Sequence, residues 1–257
     1  MKRLFVVGLV VLAMAISAFA AWNGDWNKWQ KVDVSGLPKY AVDTLKSNAF
    51  TIPKAKGAMV VDGLPNEEDW KTSAVISINE DMVEEWQQFG THITIGEGPD
   101  DAKDSSGLFY FLHDGKNMYA FCVISDEKFV AASSGKCHND AVEFFFDPTN
   151  EKGNNIQKYY GAVNLIDNSD KEFADTPNSV VKRGRWSGGW TLEFNVLMTD
   201  VAADLAALDG KTIGFDVQFD DADDASTAAR EYAMVWSGGE NQSWLTAEYN
   251  GSITFAP

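Results

Sequence analysis

From Trp190 to Val196 the chain reads Trp-Thr-Leu-Glu-Phe-Asn-Val, and from Ile213 to Asp220 it reads Ile-Gly-Phe-Asp-Val-Gln-Phe-Asp. Both runs alternate with a period of two, the pattern of a strand with one face on a core. Ala141 to Asp147 repeats it, with Val142, Phe144 and Phe146 on one side and Glu143 and Phe145 on the other. Gly107–His113 and Met118–Ser125 are apolar almost throughout, as central strands covered on both faces would be. Asp114-Gly115-Lys116-Asn117 between them is a tight-turn sequence, so the pair reads as a hairpin. Helix signals are scarce. Asp200 to Leu208 is the best, with Thr199 or Asp200 as N-cap and Gly210 ending it. Many short strands and one short helix predict an all-β fold, an antiparallel β-sandwich.

The start of the chain predicts export. Lys2 and Arg3 precede an apolar run from Leu4 to Ile16, and Ala18-Phe19-Ala20 supplies a small-x-small cleavage pattern before Ala21. The run is shorter than the ~20 residues of a spanning helix, so the expectation is a signal peptide over 1–20 and a secreted or periplasmic protein. No membrane insertion is expected after cleavage. Residues 21–48 are read as a tryptophan-rich extension, in which Trp22, Trp26 and Trp29 share a face if the stretch is helical. Residues 49–257 are read as the sandwich.

The chain carries 38 acidic against 21 basic residues, a formal charge of −17. Loss of Lys2 and Arg3 takes it to −19. Such a surface repels phosphate backbones, which argues against nucleic acid as a partner. Cys122 and Cys137 are the two cysteines, and an exported chain favours a disulfide between them over two buried thiols.

The motifs GxSxG and HExxH and phosphate-cradling glycine loops are absent, and His92, His113 and His138 stand apart in sequence. No recognisable catalytic set emerges, so the expectation is a binding protein without catalysis. Nine tryptophans point to a neutral sugar ring, whose C–H faces stack on indoles while carboxylates and amides reach its hydroxyls. Trp236 and Trp244 bracket a polar, glycine-rich loop from Ser237 to Ser243, and Trp186 precedes Ser187-Gly188-Gly189. For each, a lid on the core is the alternative to a sugar platform. At the end of the 213–220 run, Asp220, Asp221, Asp223 and Asp224 give a dense set of oxygen ligands suited to Ca2+, or else a solvated turn. Asp126, Asp140 and Asp147 are further potential ligands.

Several segments resemble, in order, those of family 9 carbohydrate-binding modules. They are Val61-Asp62-Gly63 with Glu67, Glu68, Asp69 and Trp70; the hairpin from Asp114 to Asp126; Asn139 to Asp147; Trp190 to Val196; Ile213 to Asp223; and Tyr249 to Ile253. The resemblance spans about residues 50–257, with Arg230 and Trp236 in the expected order. It implies a sandwich related to immunoglobulin-like and DOMON folds, often stabilised by calcium, in which two tryptophans clamp a terminal sugar of a glucan or xylan. Glu143 matches the glutamate that binds sugar hydroxyls, and Trp236 or Trp244 matches the second clamp. The first clamp position, just before Asp140, reads Cys137-His138 here, so one plate is missing unless His138 or a tryptophan of the N-terminal segment replaces it. His138 and Asp140 are counted among the expected sugar-binding residues. The arginine expected near Gly161-Ala162-Val163-Asn164 is missing. The expected function is carbohydrate binding in carbohydrate catabolism. A surface sandwich that has lost its sugar site, an enzyme attached to polysaccharide hydrolysis and a haem-binding relative are the alternatives.

Overall fold

The alternating segments are strands of two facing sheets. The computed structural model describes residues 29–39, 48–79, 92–96, 98–99, 101, 103–130, 139–153, 158–160, 178–224, 226, 229–237 and 245–257. The first sheet holds six strands in the order β1 (Gln30–Lys31), β9 (Val180–Trp186), β10 (Gly189–Leu197), β6 (Asn117–Asp126), β5 (Ser105–His113) and β3 (Ala74–Ile78). The second runs β2 (Ala49–Ile52), β13 (Gly251–Phe255), β11 (Thr212–Asp221), β12 (Tyr232–Val235) and β4 (His92–Ile95). β7 (Ala141–Asp147) pairs with the other edge of β11, and β8 (Lys158–Tyr160) lies beyond it. β13 takes the first half of the edge of β11 opposite β7, and β12 takes the second half. Most pairings are antiparallel, as the alternation predicts, but β1–β9 and β2–β13 are parallel. Both are short N-terminal strands added to an edge, so β1 already draws part of 21–48 into the sheet.

The inner faces fill one core. Phe215 is its hub, with ring centroids 5.3–6.5 Å from those of Phe50, Phe111, Phe144, Phe146 and Trp236. Trp29 joins this core against Phe129, whereas Trp22 and Trp26 lie outside the described residues. A second layer covers the outside of the first sheet, where Val32, Leu37 and Trp70 pack on Val75, Tyr110, Leu112, Tyr119, Phe121 and Val123. That layer is why β5 and β6 are apolar on both faces. Their hairpin forms as predicted, with Asp114 Oδ1 accepting from the amides of Lys116 at 2.8 Å and Asn117 at 2.7 Å.

Two expectations change. The helix read over Asp200–Leu208 is a single turn, α1 (Met198–Val201), followed by a 3-10 turn at Ala203–Leu205. Ala202 between them is extended (φ −155°, ψ 143°), and neither Thr199 nor Asp200 caps the turn. Cys122 is a free, buried thiol rather than half of a disulfide. On β6 it has the parity of Ala120 and Ile124, which turns its side chain into the dry core. Cys137 lies outside the described residues.

Candidate functional site

Because Val142, Phe144, Val217 and Phe219 point into the core, the pleat turns Glu143 of β7 and Asp216, Gln218 and Asp220 of β11 to the outer face of the second sheet. Glu143 and Gln218 are register partners. Gln218 Nε2 donates to Glu143 Oε2 at 3.1 Å and to Asp220 Oδ1 at 3.0 Å. Arg230 Nη1 donates to the same Asp220 oxygen at 2.6 Å. Glu143 is 3% exposed, Gln218 and Asp220 are buried, and Arg230 is partly exposed. Burial, with Glu143 beside it, pushes the Asp220 carboxyl well above the usual carboxylate range, and Arg230 pulls the other way. Two acceptors in this row, Gln218 Oε1 and Asp220 Oδ2, are buried with no hydrogen-bond partner. An unmet buried acceptor costs roughly 1–3 kcal/mol, so the row is suited to a ligand that donates several hydroxyls.

A second polar cluster lies between the sheets at one end of the sandwich. Asp126 ends β6, Asp140 precedes β7, and Asp221 ends β11 with its parity opposite to that of Asp220. Their carboxylate oxygens lie within 4.8 Å of one another, and all three residues are buried. Asp126 Oδ2 accepts from Trp190 Nε1 at 2.9 Å and its Oδ1 from the Lys128 amide at 2.7 Å. Asp140 accepts from the amides of Val130 and Ala222. Neither oxygen of Asp221 accepts a hydrogen bond of normal geometry, although the hydroxyls of Ser105 and Tyr232 lie beside it. Burial, reinforced by mutual repulsion, pushes the carboxyls of Asp140 and Asp221 well above their ordinary range, and burial pushes that of Asp126 up to about 7. Two carboxylates at this spacing repel by roughly 3–4 kcal/mol at an effective dielectric of about 20. An all-oxygen set with a poorly satisfied member fits a hard divalent cation. Asp223 and Glu231 extend the set from Asp221.

Of the four aspartates expected to hold a metal, the structure brings only Asp221 and Asp223 to this cluster. Asp220 faces the other way to Arg230, and Asp224 is exposed, accepting from the Ser226 amide and hydroxyl at 2.8 and 2.6 Å. Asp140 is likewise not beside the expected ligand surface: it points inward with the cation cluster.

The tryptophans overturn the expected stacking plate at Trp236. Its exposure is 0%, and its ring packs edge-on to Phe50 at 5.1 Å. It also lies flush on Gly251, where a Cβ would stand 2.5 Å from the indole. Its parity matches that of Tyr232 and Met234, so the strand carries it into the core. Trp70 and Trp190 are buried too. Trp186 is half-buried, folded over Gly188, with Nε1 donating to the Ile124 carbonyl at 2.9 Å. Among the described residues no tryptophan is exposed. Trp244 and His138 lie outside the described residues.

The opening Asp-Gly…Glu…Trp motif is structural. Glu193, buried on the outer face of β10, accepts through Oε2 from the amides of Asp62 at 2.9 Å and Gly63 at 2.6 Å. Glu67 accepts from the Val60 amide and from Trp70 Nε1. The motif thus pins the covering layer to the first sheet. His113 is structural as well, buried beside Phe255 with Nδ1 accepting from the Gly115 amide at 3.1 Å.

An acidic two-sheet sandwich with recessed acceptors on one outer face and a carboxylate trio between its sheet ends defines a ligand-binding β-sandwich module. Residues 78–256 match the family model described as carbohydrate family 9 binding domain-like. The chain belongs to that family of carbohydrate-binding modules. It shares its fold with a family 9 module from Caldicellulosiruptor kristjanssonii solved with cellotriose, at a TM-score of 0.59 and 17% identity over 81% of this chain and 93% of that one. The glucose complex of a family 9 module from the same organism gives 0.55 and 16%, over 80% and 95%. The exoglucanase XynX of Acetivibrio thermocellus is 23% identical over 243 residues, covering 93% of this chain. The chain spans only 20% of that relative's length.

Proposed function

We propose that this chain is an exported, non-catalytic module that binds neutral glucan- or xylan-type oligosaccharides on the outer face of its second sheet, in support of carbohydrate breakdown. The observation that carries this reading is the row Glu143–Gln218–Asp220–Arg230, with buried acceptors at Gln218 Oε1 and Asp220 Oδ2 still to be satisfied. Sugar hydroxyls donate to such oxygens and accept from a guanidinium, so one ligand can answer both halves of the row. The family membership and the sugar complexes of the Caldicellulosiruptor modules support the same class of ligand. Trp236 takes no part in it. Trp244 and His138 remain the stacking candidates on sequence grounds alone.

Ca2+ is the cation we assign to Asp126, Asp140 and Asp221, with Asp223 beside them. It would offset most of the trio's negative charge and tie the end of the first sheet to that of the second. The leader pattern over 1–20 supports export, and N-terminal sequencing of protein from the culture medium or periplasm should begin at Ala21.

Titration calorimetry with cello- and xylo-oligosaccharides, paired with polysaccharide pull-downs, tests the ligand, and a reducing-sugar assay tests the lack of cleavage. Saturable binding without sugar release is the expected result. Silence across the panel would instead support a sandwich without a sugar site, the reading favoured by the burial of Trp236.

A further inference from the structure

We infer that cation binding between the sheets and sugar binding on the outer face are coupled, each strengthening the other. The inference rests on the sugar reading above and on the fact that the two sites use neighbouring residues of the same strand ends. Asp220 and Asp221 are consecutive on β11, the first facing Arg230 and the second facing Asp126 and Asp140. Asp140 and Glu143 stand three residues apart at the start of β7, the first between the sheets and the second paired with Gln218. Arg230 and Glu231 repeat the arrangement. The Arg230 side chain reaches Asp220, while the Glu231 amide donates to the Asp221 carbonyl at 2.7 Å and its carboxylate joins Asp221 and Asp223.

Three chain segments therefore carry cation ligands on one side and sugar-row residues on the other. In register, Asp220 lies opposite Ala141 and Gln218 opposite Glu143, so the row exists only while the end of β11 stays zipped to the start of β7. Without a cation, the carboxylates of Asp140 and Asp221 repel across that same junction, and Asp126 repels both from the end of β6. The junction sheds that repulsion either by holding protons on these carboxyls or by parting of the strand ends, and parting pulls Asp220 away from Gln218 and Glu143. A cation removes the reason to part. Because β-strand register moves backbone and both faces together, a pull on the inner side chains is felt by the outer ones.

The linkage must be reciprocal: whatever factor calcium adds to sugar affinity, sugar adds to calcium affinity. The test is calorimetric titration of the full chain with cellotriose in calcium chloride and in EDTA, and of the calcium-stripped chain with calcium chloride, with and without saturating cellotriose. The expected result is a sugar affinity about tenfold or more higher with calcium and an equal gain in calcium affinity with sugar. Asp126→Asn removes a ligand on the strand that carries no part of the sugar row. It should raise the calcium concentration needed for tight sugar binding, and its melting curve checks that it folds. Equal cellotriose affinity in calcium and EDTA, with calcium binding measured directly, overturns the coupling and leaves the sugar reading intact. Calcium binding with no cellotriose binding in either buffer overturns the sugar reading and the coupling with it. An absence of calcium binding overturns the cation assignment.

Discussion

Asp220 and Asp221 are joined by one peptide bond and face opposite sides of the second sheet. Asp220 meets Arg230 at 2.6 Å on the outer face, and Asp221 converges with Asp126 and Asp140 between the sheets. A strand reverses its side chains at every residue, so one dipeptide serves a recessed hydroxyl-binding row and a carboxylate trio at once. Four consecutive-looking acids in sequence are thereby two different pieces of chemistry.

Trp236 belongs to the core, and its replacement should read as a packing defect. Trp236→Ala removes a fully buried indole and is expected to cost roughly 3–5 kcal/mol of stability. Trp236→Phe should cost less and retain the wild-type affinity for any sugar the protein binds. Denaturant melts together with calorimetry separate the two effects; a lost affinity at unchanged stability in Trp236→Phe would return this residue to the ligand site.

Glu193 should make stability fall as pH rises. Its burial pushes the carboxyl from an ordinary 4.5 up to about 8. In that window the folded state holds a proton that the unfolded state has released, so stability is full below about pH 4.5 and declines towards pH 8. The loss is on the order of a few kcal/mol. Glu193→Gln keeps an acceptor for the amides of Asp62 and Gly63 but cannot ionise. Its denaturation midpoint should decline less than that of the wild type between pH 5 and pH 8, and parallel curves would remove Glu193 as the source.

Gly63 holds its loop at φ +89°, where an added Cβ would also approach Lys182 Cβ at 3.2 Å. Gly63→Ala is therefore expected to cost about 1–2 kcal/mol. Faster proteolysis within residues 53–72 should accompany the loss, because the amide of Gly63 is one of the two that moor this layer to Glu193.

Calcium should raise the melting temperature. A cation present at about a hundred times its Kd adds ~2.7 kcal/mol, a shift of roughly 5–10 °C for a chain of this size. Asp221→Asn should abolish the response. Identical melting curves in calcium chloride and EDTA would contradict the assignment.

The sandwich was legible because alternation specifies both strand and face, as at Trp190–Val196 and Ile213–Asp220, and unbroken apolarity in β5 and β6 marked the second covering layer. The same parity, extended through Tyr232-Ala233-Met234-Val235-Trp236, places the indole with Tyr232 and Met234; reading it only as a residue beside a glycine-rich loop concealed this. Glu143 was visible as the polar break in an aromatic strand. Its partners were harder to see: Gln218 and Arg230 meet Glu143 and Asp220 through cross-strand register and a turn, and neither leaves a local trace. Asp126, Asp140 and Asp221 were each visible as potential ligands, but they come from three distant segments, so the density of acids along the chain grouped Asp221 with Asp220 and Asp224 rather than with its true neighbours. Cys122 likewise follows strand parity into the core, whatever the compartment implies about oxidation.

The central claim is that the outer-face row holds the sugar. Calorimetric titration of the wild type, Glu143→Ala and Arg230→Ala with the tightest-binding oligosaccharide tests it most directly, with melting curves to confirm folding. Each lost hydrogen-bonding partner of a charged group is worth roughly 1.5–3 kcal/mol, so each variant should bind about ten- to a hundredfold more weakly than the wild type. Folded variants that bind the sugar as tightly as the wild type would contradict it.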